Sequence, residues 1–463
     1  MAKAKRPRVS KENSIDSEMN PPMPPPDNIF NEGGEETTGN YIVIFKEDAA
    51  DASTISTTLS KVAGIKNAVS TASYGLEGIS SKDLAESKCV VFEKLGMAKV
   101  GPEAMQSLSM SASDADSPIL AIEPEYIAHL TQEHGTIDVP IDYLHGYKDA
   151  VDELYEKLTN GMSIVQTDGV ETSAIFQDTA QFTRGLQATR VHTSRFTGQG
   201  IKVAVLDTGF DFNHPDFAGR PIIRRSFSGF PVQDINGHGT HCVGTSCGPQ
   251  RPATGVRRYG IAFRSQIFVG KVFNNNPQPG AATGDIIAGI DWAVANGCRV
   301  VSLSLGANIN QKIQQYEVPI QRALNRGTLV VAAAGNNANR PASFGFVTPP
   351  ANADAALAVA AIDNRLRIAG FSARSSTITG VGGKVNIAGP GVAVFSSFPV
   401  SKGKHFFLNG TSMATPHVAG IAALLAQSTG LSGAALWNRL MQTARPLNIS
   451  SLDVGAGLVQ APQ

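Results

Sequence analysis

Three short glycine-containing motifs carry residue types that together can perform nucleophilic catalysis. DTG contains Asp207, HGTH contains His238, and GTSMATPH contains Ser412. A serine hydroxyl is a weak nucleophile until a base takes its proton, and an imidazole base needs a carboxylate to fix its tautomer. Each residue alone is common as a helix cap or a core residue. Together, the three residues predict a catalytic triad for acyl transfer.

Acyl transfer also needs hydrogen-bond donors for the oxyanion that develops on the substrate carbonyl. Ser412 precedes an apolar helical pattern, so its own N–H lies at a predicted helix start, where it has no partner within the helix. Asn336 follows the apolar run VVAAAG, which has the pattern of a buried strand. We therefore predict that the Asn336 side chain is the second donor.

The elements that must position these residues are strands alternating with helices from about residue 185 onward. The candidate strands are 202–206, 266–272, 299–305, 328–334 and 356–361. Several are apolar on both faces, which is typical of a buried parallel sheet. Helical patterns such as 284–296 lie between them. The sequence thus predicts an α/β domain with a doubly wound, mostly parallel sheet and reactive groups at the carboxyl ends of its strands.

A smaller unit precedes this domain. Residues 41–45 are a continuous apolar run, residues 55–65 have helical spacing, and four further strand or helix patterns follow up to residue 122. The order β-α-β-β-α-β is that of a small α+β, ferredoxin-like domain. We predict four segments: a basic, proline-rich tail (1–39), this α+β domain (40–131), a linker with a helix candidate at 147–158 (132–180), and the α/β domain (181–463).

Composition excludes several function classes. The 463 residues contain 39 Lys+Arg and 39 Asp+Glu, so no basic surface for nucleic acid is expected. No apolar run reaches the roughly 18–20 residues of a membrane helix, and no Sec-type signal peptide is visible. Four cysteines are too few and too scattered for a disulfide framework. A reducing compartment such as the cytoplasm, or release without a Sec signal, is the simpler expectation.

The order Asp, His, Ser and the three motifs resemble those of the subtilisin-like serine proteases, the subtilases of peptidase family S8. The resemblance extends from about Gly185 to the closing motif GAGLV at 455–459. It implies a subtilisin-like fold and a serine endopeptidase that acts on peptides or proteins.

The same resemblance implies a substrate cleft and an inhibitor. The strand expected to pair with the substrate backbone consists of Ser304, Leu305 and Gly306, and one pocket wall consists of Ala333, Ala334 and Gly335. Pairing of this kind is β-augmentation, in which backbone hydrogen bonds supply affinity. Residues 41–130 resemble the inhibitory pro-domain of secreted subtilases, which implies an intramolecular chaperone and inhibitor.

Asp216, in the sequence NHPD, matches a calcium ligand of many subtilisins. The stretch 248–259 lacks the asparagine-rich loop that normally completes that site, and calcium requires six to eight oxygen ligands. We expect no required cofactor and leave a structural calcium site at Asp216 as an open alternative.

The sequence therefore predicts a serine endopeptidase made as a self-inhibited zymogen, with no nucleic-acid or membrane partner. Two alternatives remain. One is a dedicated protease that matures a single precursor peptide. The other is a binding or chaperone protein built on a subtilase scaffold, whose cleft stays closed by its own N-terminal domain.

Overall fold

The computed structural model describes residues 36–130, 176–378 and 380–463. The predicted tail (1–39) lies outside the described residues up to residue 35, and so does the helix candidate at 147–158. The predicted end of the tail is wrong, because residues 37–39 are already part of the first strand, where they pair with neighbouring backbone. The predicted domain boundaries near residues 131 and 180 remain predictions.

Residues 36–130 form a mixed, mostly antiparallel sheet with associated helices. Its strands are β1 (Thr37–Phe45), β2 (Val69–Ser70), β3 (Cys89–Phe92), β4 (Met97–Val100) and β5 (Ile119–Leu130). Its helices are α1 (Ala52–Ala63), α2 (Ser81–Glu86) and α3 (Met105–Ala112), with 3₁₀ turns at Glu47–Ala49, Thr71–Glu77 and Pro102–Ala104. The strand order β5-β1-β4-β3-β2 has β1 antiparallel to both neighbours. The predicted β-α-β-β-α-β order is present, with β2 and α2 as additions.

Both faces of the second half of β1 are buried, which explains why residues 41–45 are continuously apolar. Val43 and Phe45 pack with Ile55 and Leu59 of α1 in a small core of their own. Ile42 and Ile44, which alternate with them, belong to the large core of the chain. Successive side chains of a strand point to opposite faces. One face of β1 therefore packs under its own helices and the other against residues after 176.

Residues 176–463 contain the large parallel sheet. Its strands are β6 (Lys202–Asp207), β7 (Ile222–Ser226), β8 (Gln266–Lys271), β10 (Val300–Leu303), β12 (Leu329–Ala333), β13 (Leu357–Ile362) and β14 (Ile387–Pro390), in the order β14-β13-β12-β10-β6-β8-β7. All six pairings are parallel. The predicted α/β class is correct. The edge strands β7 and β14 were not predicted, because the first (IIRRS) is interrupted by arginines and the second (IAGP) is short.

Four short strands lie outside this sheet. They are β9 (Gly280–Ala282), β11 (Leu305–Gly306), β15 (Val394–Ser397) and β16 (His405–Leu408), of which the last two form a hairpin. The predicted strand 299–305 is in fact two strands. Its first part, β10, belongs to the parallel sheet, whereas β11 turns away to pair with β5.

The helices of this part pack on the two faces of the sheet or cover its ends. They are α4 (Arg184–Ala188), α5 (His238–Cys247), α6 (Thr283–Ala295), α7 (Gln314–Asn325), α8 (Thr411–Thr429), α9 (Gly433–Thr443) and α10 (Ser451–Val454), with 3₁₀ turns at Val191–Thr193, Pro215–Phe217 and Val400–Lys402. Helix α5 is entirely buried, and α8 is buried from Thr411 to Ala426. The four cysteines are free and buried.

Within the described ranges, no single helix has both the length and the apolar character to cross a bilayer. The helices α8 and α9 are bent by 106° relative to each other. Taken together, they meet the criterion for a membrane-spanning segment by length and composition only.

Candidate active site

Asp207 is the last residue of β6 and is almost fully buried. Its Oδ1 lies 2.8 Å from Nδ1 of His238, the first residue of α5. The same oxygen accepts the backbone N–H of Thr208 at 2.7 Å. The carboxylate is therefore held at the carboxyl end of a central strand and fixes which ring nitrogen of His238 faces away from it.

Asp234 holds the turn that presents His238. Its Oδ1 accepts from the hydroxyl of Thr208 at 3.0 Å and from the N–H of Gly237 at 2.9 Å. Its Oδ2 accepts both the N–H and the hydroxyl of Thr240, at 2.9 and 2.7 Å. One buried carboxylate thus joins the segment after Asp207 to the first turn of α5.

Ser412 is the second residue of α8, just after Gly410, whose φ of +145° favours glycine. Its Oγ donates to the carbonyl of Ser304 at 3.3 Å, and the Ser304 hydroxyl donates to the Ser412 carbonyl at 2.8 Å. Nε2 of His238 has no hydrogen-bond partner in the described part of the chain. The Oγ–Nε2 hydrogen bond that catalysis requires is therefore not formed in this conformation.

Cys242 connects the histidine to the serine segment. Its Sγ lies 3.8 Å from Nδ1 of His238 and 3.6 Å from the carbonyl oxygen of Ser412, to which the thiol donates. The sulfur is buried between the two. The fold therefore brings Asp207, His238 and Ser412 to one location.

The charge state of His238 differs from that of the other buried histidines nearby. Burial lowers the pKa of His238, but the charges and hydrogen bonds of Asp207 and Cys242 together outweigh it, so the pKa is well above its usual value. Burial lowers the pKa of His241 to about 3 and that of His417 to about 4. Of these three histidines, only His238 is paired with a carboxylate, which stabilises an imidazolium.

The amide of Asn336 is oriented by Thr411. Oδ1 of Asn336 accepts the backbone N–H of Thr411 at 2.9 Å and its hydroxyl at 2.8 Å. The Thr411 hydroxyl also accepts the N–H of Gly335 at 3.2 Å. With Oδ1 engaged in this way, the donor group of Asn336 is Nδ2, which suits the stabilisation of an oxyanion.

The predicted substrate strand is paired with a segment of this chain. His129 and Leu130 at the end of β5 pair antiparallel with Gly306 and Leu305. On its other side, β5 pairs antiparallel with β9 through residues 127–129. Because β5 also pairs with β1, β9 and β11 extend the sheet of residues 36–130 to seven strands. Ala333, Ala334 and Gly335 lie buried at and after the end of β12.

A scan against family models matches residues 198–457 to the subtilase family, a span that contains all three triad candidates. The chain belongs to the subtilase family. It is a subtilisin-like serine protease by the same comparison.

Individual subtilases support this assignment. Thermitase of Thermoactinomyces vulgaris is 37% identical over 268 residues, which is 57% of this chain and 88% of thermitase. The M-protease of Shouchella clausii (strain KSM-K16) is 36% identical over 351 residues, or 75% of this chain and 84% of that protein. Among solved structures, the S41 psychrophilic protease has a TM-score of 0.53 and 30% identity, over 62% of this chain and 100% of that one.

Two glutamates join residues 36–130 of the subtilase to helix N-termini in its α/β part. Glu123 accepts the N–H groups of Gln314 and Gln315 at the start of α7, both at 2.9 Å. Glu125 accepts the N–H of Gly284 at the start of α6 at 2.8 Å. Carboxylates at helix N-termini satisfy unpaired donors and interact favourably with the helix dipole.

Two further side chains from the α/β part of the subtilase strengthen this contact. The guanidinium of Arg322 donates to the carbonyls of Phe45 and Leu95, at 2.7 and 2.6 Å. Asp291 accepts the hydroxyl of Thr71 at 2.7 Å and the N–H of Lys94 at 2.8 Å. Burial raises the pKa of Asp291 to about 6 against the opposing effect of these hydrogen bonds.

The surroundings of Asp216 do not fit calcium. One carboxylate oxygen accepts the N–H of Thr254, and the other accepts from Tyr259 and His405, each at 2.8 Å. The residues whose ligand atoms gather with Asp216 in the described structure are His214 and His405. Imidazole nitrogens are poor calcium ligands. The calcium alternative left open by the sequence therefore has no support from this donor set.

Sequence reasoning missed several residues that organise the site of the subtilase. The missed residues are Asp234, the orienting Thr411, the β9 residues Gly280–Ala282, and the capping Glu123 and Glu125. Among these residues, only Asp234 had a local sequence signal. It lies two residues before the Asn236-Gly237 pair, a turn-forming pair that precedes the HGTH motif. The others act on partners far away in the sequence.

Proposed function

We propose that this subtilase is a serine endopeptidase made as a self-inhibited zymogen. In the proposed reaction, Ser412 attacks the peptide carbonyl while His238 takes its proton and later donates it to the leaving amine. Asp207 holds the ring and stabilises the imidazolium. The Nδ2 group of Asn336 and the backbone N–H of Ser412 stabilise the oxyanion.

The observation that carries the zymogen proposal is the position of β5 between β9 and β11. A peptide substrate that binds by β-augmentation would need the same backbone groups of Leu305 and Gly306. Residues 127–130 therefore compete with substrate for the cleft. Glu123 and Glu125 bind the N-termini of α7 and α6, and Arg322 and Asp291 bind residues of the segment 36–130. These contacts anchor that segment to the α/β part of the chain.

Self-inhibition also agrees with the hydroxyl of Ser412 pointing to the Ser304 carbonyl rather than to His238. Activation in this proposal requires two changes. The chain after Leu130 must be cut, and residues 36–130 must leave the cleft. The Ser412 hydroxyl then turns to His238 Nε2, which has no other partner in the described residues.

The experiment compares full-length chains of wild type, Ser412→Ala and Ser428→Ala. Ser428 is a half-buried serine at the other end of α8 and serves as the matched control. Wild type and Ser428→Ala should convert from one band to two on incubation, whereas Ser412→Ala should remain one band. Conversion of Ser412→Ala at the wild-type rate would contradict the proposal.

A persistently closed scaffold remains the second candidate, because the same strand pairing that inhibits a zymogen would also close a permanently latent protein. The two candidates differ in one result. A latent protein stays uncut in all three forms and hydrolyses no peptide after limited digestion by an added protease.

A further inference from the structure

A second cluster of metal-ligating side chains lies away from the triad. His405 Nε2 is 2.8 Å from Asp216 Oδ2, and His214 Nδ1 is 4.0 Å from the same oxygen. The three ligand atoms lie within 4.8 Å of one another. The side chains of His214 and Asp216 are fully buried, and that of His405 is 9% exposed. We propose that these three residues form a binding site for Zn²⁺ or a chemically similar divalent transition-metal ion.

The hydrogen bonds around His214 and Asp216 orient their ligand atoms. Nε2 of His214 donates to the carbonyl of Lys404 at 2.7 Å, so Nδ1 carries the lone pair, which now accepts the N–H of Asp216 at 3.2 Å. A metal-bound histidine typically donates its other ring N–H to a carbonyl in this way. Oδ1 of Asp216 accepts the N–H of Thr254, which leaves Oδ2 directed at the two rings.

His405 is held in place by aromatic neighbours. Its ring stacks on Phe395 with 5.3 Å between centroids and 18° between planes, and contacts Tyr259 and His214 edge-on. Without metal, Nε2 donates to Asp216. Metal binding requires the proton to move to Nδ1 or to leave, after which Nε2 becomes the ligand.

The donor types select the class of ion. Two imidazoles and one carboxylate suit Zn²⁺ and its neighbours in the first transition row, whereas calcium requires six to eight oxygens. The hydroxyl of Thr254 lies 3.5 Å from His405 Nε2, and that of Tyr259 lies 2.8 Å from Asp216 Oδ2. Three protein ligands leave one position of a tetrahedral site for water or one of these hydroxyls.

This site would join three segments that each adjoin a triad residue. His214 and Asp216 follow the strand that ends at Asp207, and His405 lies in β16 shortly before Ser412. Thr254 and Tyr259 follow α5, which begins at His238. A bound ion would connect side chains 189 positions apart in sequence. It should therefore raise the thermal midpoint of the full chain.

X-ray absorption at the zinc edge tests the ligand set without altering it. The sample is the full-length Ser412→Ala chain, which cannot cut itself in the proposed mechanism, with one equivalent of Zn²⁺. We expect nitrogen or oxygen ligands at about 2.0–2.1 Å, scattering from two imidazoles, and no sulfur. Asp207, His238 and Cys242 form a competing group. Sulfur at about 2.3 Å would place the ion there and overturn the proposal, as would absence of bound zinc.

A Co²⁺ titration in the same background assigns the site by substitution. His405→Gln keeps an N–H donor for Asp216 but removes the imidazole, so affinity should fall at least tenfold. His192→Gln, at a half-buried histidine elsewhere, should bind like the parent. Millimolar Ca²⁺ should not displace Co²⁺. Unchanged affinity in His405→Gln, or displacement by Ca²⁺, would contradict the assignment. If His405→Gln does not fold, the absorption spectrum of the parent chain decides.

Discussion

Thr411 donates two hydrogen bonds to the same oxygen of Asn336, one from its backbone N–H at 2.9 Å and one from its hydroxyl at 2.8 Å. This pair engages Oδ1 of Asn336, so Nδ2 is the group that remains as a donor. It links the first residue of α8 to the loop after β12, and it makes the proposed oxyanion donor part of the same turn that carries Ser412.

Replacing Asn336 by leucine should lower kcat strongly and leave KM nearly unchanged, because the lost hydrogen bond forms in the transition state. In subtilisin, removal of an oxyanion-hole asparagine reduces transition-state stabilisation by about 2.7–4 kcal/mol and kcat by about 10²–10³. We expect the same range here. The measurement is steady-state hydrolysis of a peptide anilide by the processed enzyme. Asn337→Leu, at the exposed neighbouring position, is the control. A fall in kcat below fivefold for Asn336→Leu would contradict its role.

Thr411→Val should lower kcat by roughly tenfold, the effect of weakening one hydrogen bond by about 1.4 kcal/mol. Valine preserves the shape and the backbone N–H but loses the hydroxyl. The pH profile of kcat should stay unchanged, since His238 and Asp207 are not touched. A change in KM alone, or a shifted pH profile, would indicate a different role for Thr411.

The antiparallel register predicts where the zymogen cuts itself. His129 pairs with Gly306 and Leu130 with Leu305, and the next residue toward Ser412 is Ser304. If the pairing of β5 with this segment continues by one residue, the peptide bond after residue 131 faces the Ser412 hydroxyl. We therefore predict cleavage between Thr131 and Gln132. Intact-mass analysis of the N-terminal fragment measures this position. A first cut beyond residue 175 would show that the cleft strand is not the substrate.

Asp291 should make the stability of the full chain depend on pH. Its carboxyl has a pKa near 6 in the folded chain and near 4 when exposed, so the folded state binds the proton more tightly. This contribution to stability is fully present below about pH 4 and is lost as pH rises through about 6. The contribution of Asp291 to the free energy of unfolding is on the order of 3 kcal/mol.

Chemical denaturation of Ser412→Ala with and without Asp291→Asn, from pH 4 to pH 7, measures this contribution. The asparagine variant retains an acceptor for Lys94 but cannot titrate. The free energy of unfolding of the variant should therefore change less over this interval than that of its parent. Parallel pH curves for the two proteins would contradict a raised pKa for Asp291.

The sequence allowed the class of the large domain and the triad candidates to be predicted because both depend on local patterns. Asp207 ends an apolar strand, His238 follows a glycine turn, and Ser412 begins a helix of small residues. The strand β9 was not predicted, and β11 was expected only from the family resemblance. They have three and two residues, and as strands they are defined by pairing with β5.

The surroundings of Asp216 could not be predicted for a related reason. Its partner His405 lies 189 residues away on a short hairpin, and nothing in either segment indicates the pairing. The family pattern suggested calcium at Asp216, but this chain supplies nitrogen donors there instead. Contacts between residues distant in sequence decide such a site, and one sequence carries little signal for them.

Covalent labelling of Ser412 tests the central claim most directly. After residues 36–130 have been removed from the cleft by processing, a peptidyl phosphonate should attach to Ser412, as located by mass spectrometry of the digested protein. His238→Ala cannot cut itself in the proposed mechanism, so its residues 36–130 are removed with an added protease. Its labelling rate should then be lower by orders of magnitude, because the hydroxyl lacks its base. Labelling of another serine, or labelling that is equally fast without His238, would contradict the triad.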